Sequence, residues 1–169
     1  MTHQATNDDK SMLLDYLNGQ RRHVLGILEG LSDEDLRRPV LPSGWTSLGL
    51  VYHLALDVER FWFRAVVAGE QEIIDGLDST GDAWLPPPDG PAEATLDLYR
   101  QEVERTNAVI ERTPLDAPPA WWPDFFSTFR FENLRETILH VIEETACHAG
   151  HLDVVRELID GRQWMALTD

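Results

Sequence analysis

The sequence predicts one all-α domain, a four-helix bundle, on three observations. Apolar residues recur at three- and four-residue steps in four long segments, no stretch alternates apolar with polar residues as a half-buried strand does, and breaks rich in glycine and proline separate the segments. A chain of 169 residues supports one hydrophobic core rather than two. No repeat period or low-complexity block argues for a solenoid or an array.

Helix one is expected over residues 9–31, with Leu13, Leu14, Leu17, Val24, Leu25 and Leu28 as its stripe and Gly30 as its stop. Ser32, followed by Asp33, Glu34 and Asp35, reads as an N-cap with an acidic first turn, a single turn before Pro39, Pro42 and Gly44 break the chain. Thr46 caps helix two, expected over 46–69, in which Leu50, Leu54, Val58, Phe61 and Ala65 form the apolar face. Residues 69–91 hold Gly76, Gly81, Pro86, Pro87, Pro88 and Gly90, too many breakers for regular structure, and are expected as a long loop. Helix three is expected over 92–113, carried by Leu96, Leu98, Tyr99, Val103, Val109 and Ile110 and ended by Pro114. A second long loop, 114–131, carries Trp121, Trp122, Phe125, Phe126 and Phe129, aromatic enough to be expected folded back over the domain. Asn133 caps helix four, whose stripe is Leu134, Ile138, Val141, Leu152, Val155 and Ile159, with Gly161 at its C′ stop. The organisation is thus a polar tail at 1–10, the bundle at 11–161 and a second tail at 162–169.

Composition narrows the function. With 14 basic and 30 acidic side chains the net charge is −16, which repels a nucleic-acid backbone or an anionic membrane surface. No apolar run reaches the roughly 20 residues of a membrane span, and residues 1–10 lack a secretory apolar region. One cysteine, Cys147, forms no internal disulfide, which fits a reducing compartment. A cytoplasmic protein without a nucleic-acid or membrane partner is the expectation.

Three of the six histidines, His140, His148 and His151, fall in one piece of helix four; the others are His3, His23 and His53. With Glu144 at 0° and steps of about 100°, His148 lands near +40°, His151 near −20° and His140 near −40°. His148 then lies inside the apolar stripe, with Glu144 and His151 on its margin. A carboxylate there without a partner costs several kcal/mol or protonates. Two accounts compete. A buried Glu and His can satisfy each other, leaving the remaining histidines exposed. Alternatively Glu144, His148 and His151, at i, i+4 and i+7, present one oxygen and two nitrogens to a single metal ion. The second account needs a ligand from another helix. Helix two offers His53, with Asp57 one turn on to orient it. Cys147, near −60° on the same wheel, reads as a packed thiol before it reads as a ligand.

The segments Gly44-Trp45-Thr46-Ser47 and Val51-Tyr52-His53-Leu54, then Glu143 to His151 and Arg156 to Gly161, resemble the DinB/YfiT-like superfamily, in particular the actinobacterial branch similar to mycothiol-dependent maleylpyruvate isomerase and other thiol transferases. The similarity covers about residues 11–161. It implies a bundle of the DinB/YfiT-like type holding one divalent metal, zinc or nickel, through a histidine on helix two and a pair four apart on the last helix. By position these are His53, Glu144 and His148. The commoner pattern has histidine at the first member of that pair; Glu144 matches the glutamate variant of isomerase-like members. His151 stands where many relatives carry glutamine or aspartate, so three roles are open to it: fourth ligand, proton shuttle or neighbour.

Three protein ligands and an open position suit a catalytic metal. The resemblance implies a transferase that activates mycothiol or a similar thiol for addition to an electrophilic small molecule. The aromatics of 121–131 and the loop around Trp84 are candidates for the walls of its pocket. Arg64, near +20° from His53 on an α-helical wheel, is the candidate for holding an anionic group of the cofactor. The alternatives are a metal-dependent hydrolase with Glu144 or His151 as general base, and a non-catalytic, metal-binding bundle linked to stress. A homodimer is compatible with all three.

Overall fold

A computed structural model describes residues 2–79 and 81–164; the stretch 165–169, expected as part of a C-terminal tail, lies outside the described residues. All its regular structure is helical: α1 (Thr2–Leu28), α2 (Asp33–Arg37), α3 (Ser47–His53) running directly into a π-helix (Leu54–Val67), α4 (Gln71–Gly76), a 3-10 turn (Leu77–Ser79), α5 (Ala92–Arg112) and α6 (Leu134–Asp160).

The four expected long helices are present. Side-chain caps start α2, α3 and α6: Ser32 Oγ accepts from the Asp35 amide, Thr46 Oγ1 from Gly49, and Asn133 Oδ1 from Glu136, each satisfying an amide the helix leaves unpaired; α5 starts after Pro91 without one. Gly161, at φ 78°, closes α6 in the left-handed conformation that glycine adopts without a Cβ penalty.

Three details differ from the expectations. Helix one begins at Thr2, so it extends through most of the stretch read as a tail. The glycine- and proline-rich segment after helix two contains α4 and the 3-10 turn before it opens into a loop. The third difference matters most for the site. Helix two is α-helical only as far as His53 and then closes hydrogen bonds on the fifth residue back, as in Ala68 N–H to the Phe63 carbonyl.

The core lies where α1 packs on α6 and where the π-helix packs on both α5 and α6. Leu17, Ile27, Leu50, Leu54, Phe63, Tyr99, Ile110, Ile138 and Leu152 are fully buried within it. The buried charged side chains Arg21, Glu59, Glu102 and Arg156 are each paired with an opposite charge. Arg21 makes a two-pronged contact with Glu59, at 2.7 Å (Nε to Oε1) and 2.6 Å (Nη2 to Oε2), and reaches Asn18 and Asn107 with Nη1. Lys10, the sole lysine of the chain, donates from Nζ to the carbonyls of Ile110, Glu111 and Thr113, so it occupies acceptors that the end of α5 leaves open.

The loop after α5 is folded back as its aromatic content predicts. The amides of Ala120 and Trp121 donate to the carbonyls of Val67 and Val66, tying the loop to the end of the π-helix. Beyond that tie, Trp122, Phe126, Phe129 and Phe131 pack against one another, mostly tilted or edge-on, and Trp122, Phe126 and Phe131 also meet Trp62, with Phe126 stacked on it.

Candidate metal centre

His53 is the last α-helical residue of helix two; Glu144 and His148 sit one turn apart on α6. Packing of the π-helix and α3 on α6 brings the three together, with one potential ligand atom from each lying within 4.8 Å of the others. The core-facing line of α6 runs through Val141, Thr145, Ala149 and Leu152, which are buried, while Glu144 and His148 are half-buried beside it. Glu144 thus stands at the margin where the helical wheel places it. His148 is less deep than expected.

Each member is oriented by a neighbour. Nδ1 of His53 lies 3.0 Å from Oδ2 of Asp57, one turn further along, and its Nε2 faces Oε1 of Glu144 at 3.7 Å. The other oxygen of Glu144 is 3.2 Å from Nε2 of His140. Trp84 stacks on His53, with ring centroids 4.4 Å apart and planes inclined by 15°, and meets His148 edge-on at 5.9 Å. Trp84 is placed by two local features. Its amide donates to Asp82 Oδ1, and its carbonyl lies over Gly49, where a Cβ would come within 2.5 Å of the carbonyl oxygen.

The three groups carry different protonation tendencies. Burial alone would lower the pKa of His53, but the carboxylates of Asp57 and Glu144 outweigh it and raise the imidazolium to about 9. Burial would raise that of Glu144, yet His140 and His53 hold it down to about 2. His148 falls to about 4 because burial, with the positive charge of His53 beside it, disfavours its protonated form.

These residues fit a divalent cation. Two imidazoles and a carboxylate are the donor types zinc and its neighbours accept, and Nδ1 of His148 is buried with no hydrogen-bond partner. At about 2 Å from each ligand atom, an ion would need donors up to about 4 Å apart, so only small side-chain adjustments separate this arrangement from a bound one. Asp57 and His140 supply the outer hydrogen bonds that hold metal ligands in place. Three protein ligands leave room for a further one.

The structure also separates residues that sequence reasoning grouped. His151 is exposed and outside the triad; its ring packs beside His148 at 5.7 Å and Trp45 at 6.2 Å. Cys147 is exposed, not packed. Arg64 is turned toward α5, where Nη1 binds both oxygens of Glu102 and Nε binds Glu70. The wheel that aligned it with His53 assumed about 100° per residue. A π-helix advances less at each step, and the shortfall accumulated between positions 53 and 64 carries Arg64 off the site's face. Conversely, the helical wheel places His140 beside Glu144 without assigning it a role. Its spacing of four from Glu144 was the available signal.

Beside the triad lies a cleft of about 530 Å³ whose walls include Trp45 and Trp84. The aromatic cluster of 121–131 stands on the other side of Glu144, with Trp62 and Phe131 against the His140 ring at 4.8 and 5.1 Å.

No curated protein and no solved structure matches the chain. The sequence model of one family, described as Mycothiol-S-transferase, matches residues 12–161, which span α3, the π-helix, α5 and α6 with all three residues of the triad. The chain therefore belongs to the mycothiol-S-transferase family.

Proposed function

We propose that the protein is a metal-dependent transferase that joins a low-molecular-weight thiol, mycothiol or a close analogue, to an electrophilic small molecule. The observation that carries this reading is the convergence of His53, Glu144 and His148, each oriented from outside the triad or by its neighbours, beside an aromatic-walled cleft. Zinc or nickel suits the donor set.

A divalent ion bound there would supply Lewis acidity, lowering the pKa of a thiol at neutral pH. The chain's own residues do the rest. His53, Glu144 and His148 hold the ion, Asp57 fixes the ring of His53, and His140 fixes the carboxylate of Glu144. Trp84 covers the ring of His53 and excludes water from that side. The cleft positions the acceptor.

Family membership favours this chemistry over ester or amide hydrolysis, and so does the state of Glu144. Both of its oxygens are engaged by histidines and its pKa is low, which leaves it a poor general base.

The test is elemental analysis of protein purified without chelator or a histidine tag, followed by incubation of the metal-loaded protein with mycothiol and an alkylating electrophile. Expected are near-stoichiometric metal and a thioether adduct detected by mass spectrometry, both lost in His148→Ala. Metal content equal in the wild type and His148→Ala, or no adduct from the loaded protein, would overturn the reading.

A further inference from the structure

The cleft that shares Trp84 with the triad has a composition that selects its occupant. Trp45, Trp84, Leu85, Pro86 and Pro88 give it apolar walls, and the one charged residue lining it is Arg37, at the end of α2. In a protein of net charge −16 that is a local reversal of sign. Most arginines in the described structure are engaged by carboxylates, as Arg21, Arg60 and Arg64 are. Arg37 is not. Its Nη2 donates to the Gly90 carbonyl at 2.5 Å, which fixes the guanidinium plane, and among the described residues it has no carboxylate partner. The remaining N–H groups of that fork match the geometry of an incoming carboxylate. At about 530 Å³, the cleft is of the size that takes one small organic molecule.

We propose that this cleft binds a small molecule with a flat apolar body and a single carboxylate, the carboxylate on Arg37 and the body against Trp45 and Trp84. This molecule is the electrophilic acceptor of the transfer described above, so the assignment of its role rests on that reading; its binding does not. Trp84 then serves two sites at once, covering the ring of His53 and bordering the acceptor.

The experiment compares trans-cinnamate with neutral cinnamamide, two probes of nearly the same shape, by calorimetric titration of the metal-loaded protein. Cinnamate is expected to bind at least about ten-fold more tightly than the amide, as a charge-assisted pair in a partly dry cleft requires. Arg37→Gln should abolish that preference while leaving amide binding unchanged, Arg37→Lys should restore part of it, and Arg22→Gln, at an exposed position, should leave it intact. Circular dichroism confirms that the variants remain folded. Equal affinity for the two probes, no binding of either at millimolar concentration, or an undiminished preference in Arg37→Gln would overturn the proposal; the last result would place the carboxylate elsewhere, on the metal for example. Loss of thiol transfer with cinnamate binding intact would instead overturn the transferase reading alone.

Discussion

Nε2 of His140 lies 3.2 Å from Oε2 of Glu144, so one oxygen of the carboxylate is held from below while the other turns toward His53. The His140 ring is itself fixed between Trp62 and Phe131. Replacing His140 by leucine should free Glu144 to rotate and lower metal affinity about ten- to a hundred-fold, the usual consequence of losing an outer-sphere partner. His140→Gln, which keeps a donor, should lose less. Competitive zinc titration against a fluorescent chelator reads both values, and equal affinity in the leucine variant and the wild type would show that this bond does not orient the ligand.

Metal uptake should displace a proton. With His53 raised to about 9, His148 lowered to about 4 and Glu144 at about 2, the metal-free site at pH 7 holds one proton on the His53 imidazole and none on the other two. A cation must remove it. Calorimetric titration in two buffers of different ionisation enthalpy should give about one proton released per ion, and affinity should climb about ten-fold per pH unit between pH 4 and pH 9. Release of no proton would mean that His53 is already neutral.

The same shifts set the pH range of the metal-free fold. The folded pKa of His53 is raised, so its contribution is complete below the ordinary histidine value of 6.5 and disappears as pH rises through about 9. That of Glu144 is lowered, so its contribution is complete above about 4.5 and disappears as pH falls through about 2. His148, lowered to about 4, disfavours the fold as pH drops below 6.5, where the unfolded chain takes up a proton that the folded site refuses. Thermal stability of the chelated protein should therefore peak near pH 6.5 and fall on both sides, with His53→Gln flattening the alkaline limb.

Gly49→Ala tests how Trp84 is placed. The added Cβ would come within 2.5 Å of the Trp84 carbonyl oxygen, a backbone atom that cannot swing aside. Overpacking of this kind costs about 1–3 kcal/mol. The displaced loop should also uncover His53, so denaturant unfolding and zinc affinity should fall together. A stable variant with unaltered affinity would show that the loop accommodates the methyl without moving the indole.

Arg21→Met separates folding from chemistry. It leaves Glu59 buried without its two-pronged partner, a loss worth about 3–5 kcal/mol. Stoichiometric metal binding at low temperature should persist, because neither residue touches the triad. Arg21→Met combined with Glu59→Leu should recover much of the lost stability.

Much of this was legible in the residues themselves. Thr46, Asn133 and Gly161 mark helix ends because small polar side chains and an achiral residue solve the local hydrogen-bond problem wherever they stand. The i, i+4 spacing of Glu144 and His148 places them on one face of any α-helix, and Asp57 follows His53 at the same spacing. Arg64 was misplaced because a π-helix carries no periodicity signature distinct from a well-buried α-helix: Trp62, Phe63, Val66 and Val67 are buried together around much of its circumference. Arg21 opposite Glu59 could not be read, since nothing local in either segment names a partner 38 positions away. Arg37 carries no local signal for the same reason, its cleft being assembled from α2, the turn before α3 and the loop of Trp84.

Lys10 offers a last consequence. Its amine bridges the first helix to the carbonyl end of the third long one, and no other lysine side chain competes for an acylating reagent. Modification of that amine should accordingly be slow in the native molecule and accelerate when these two segments part, which makes a single mass increment at one position a clock for the opening of the bundle at that seam.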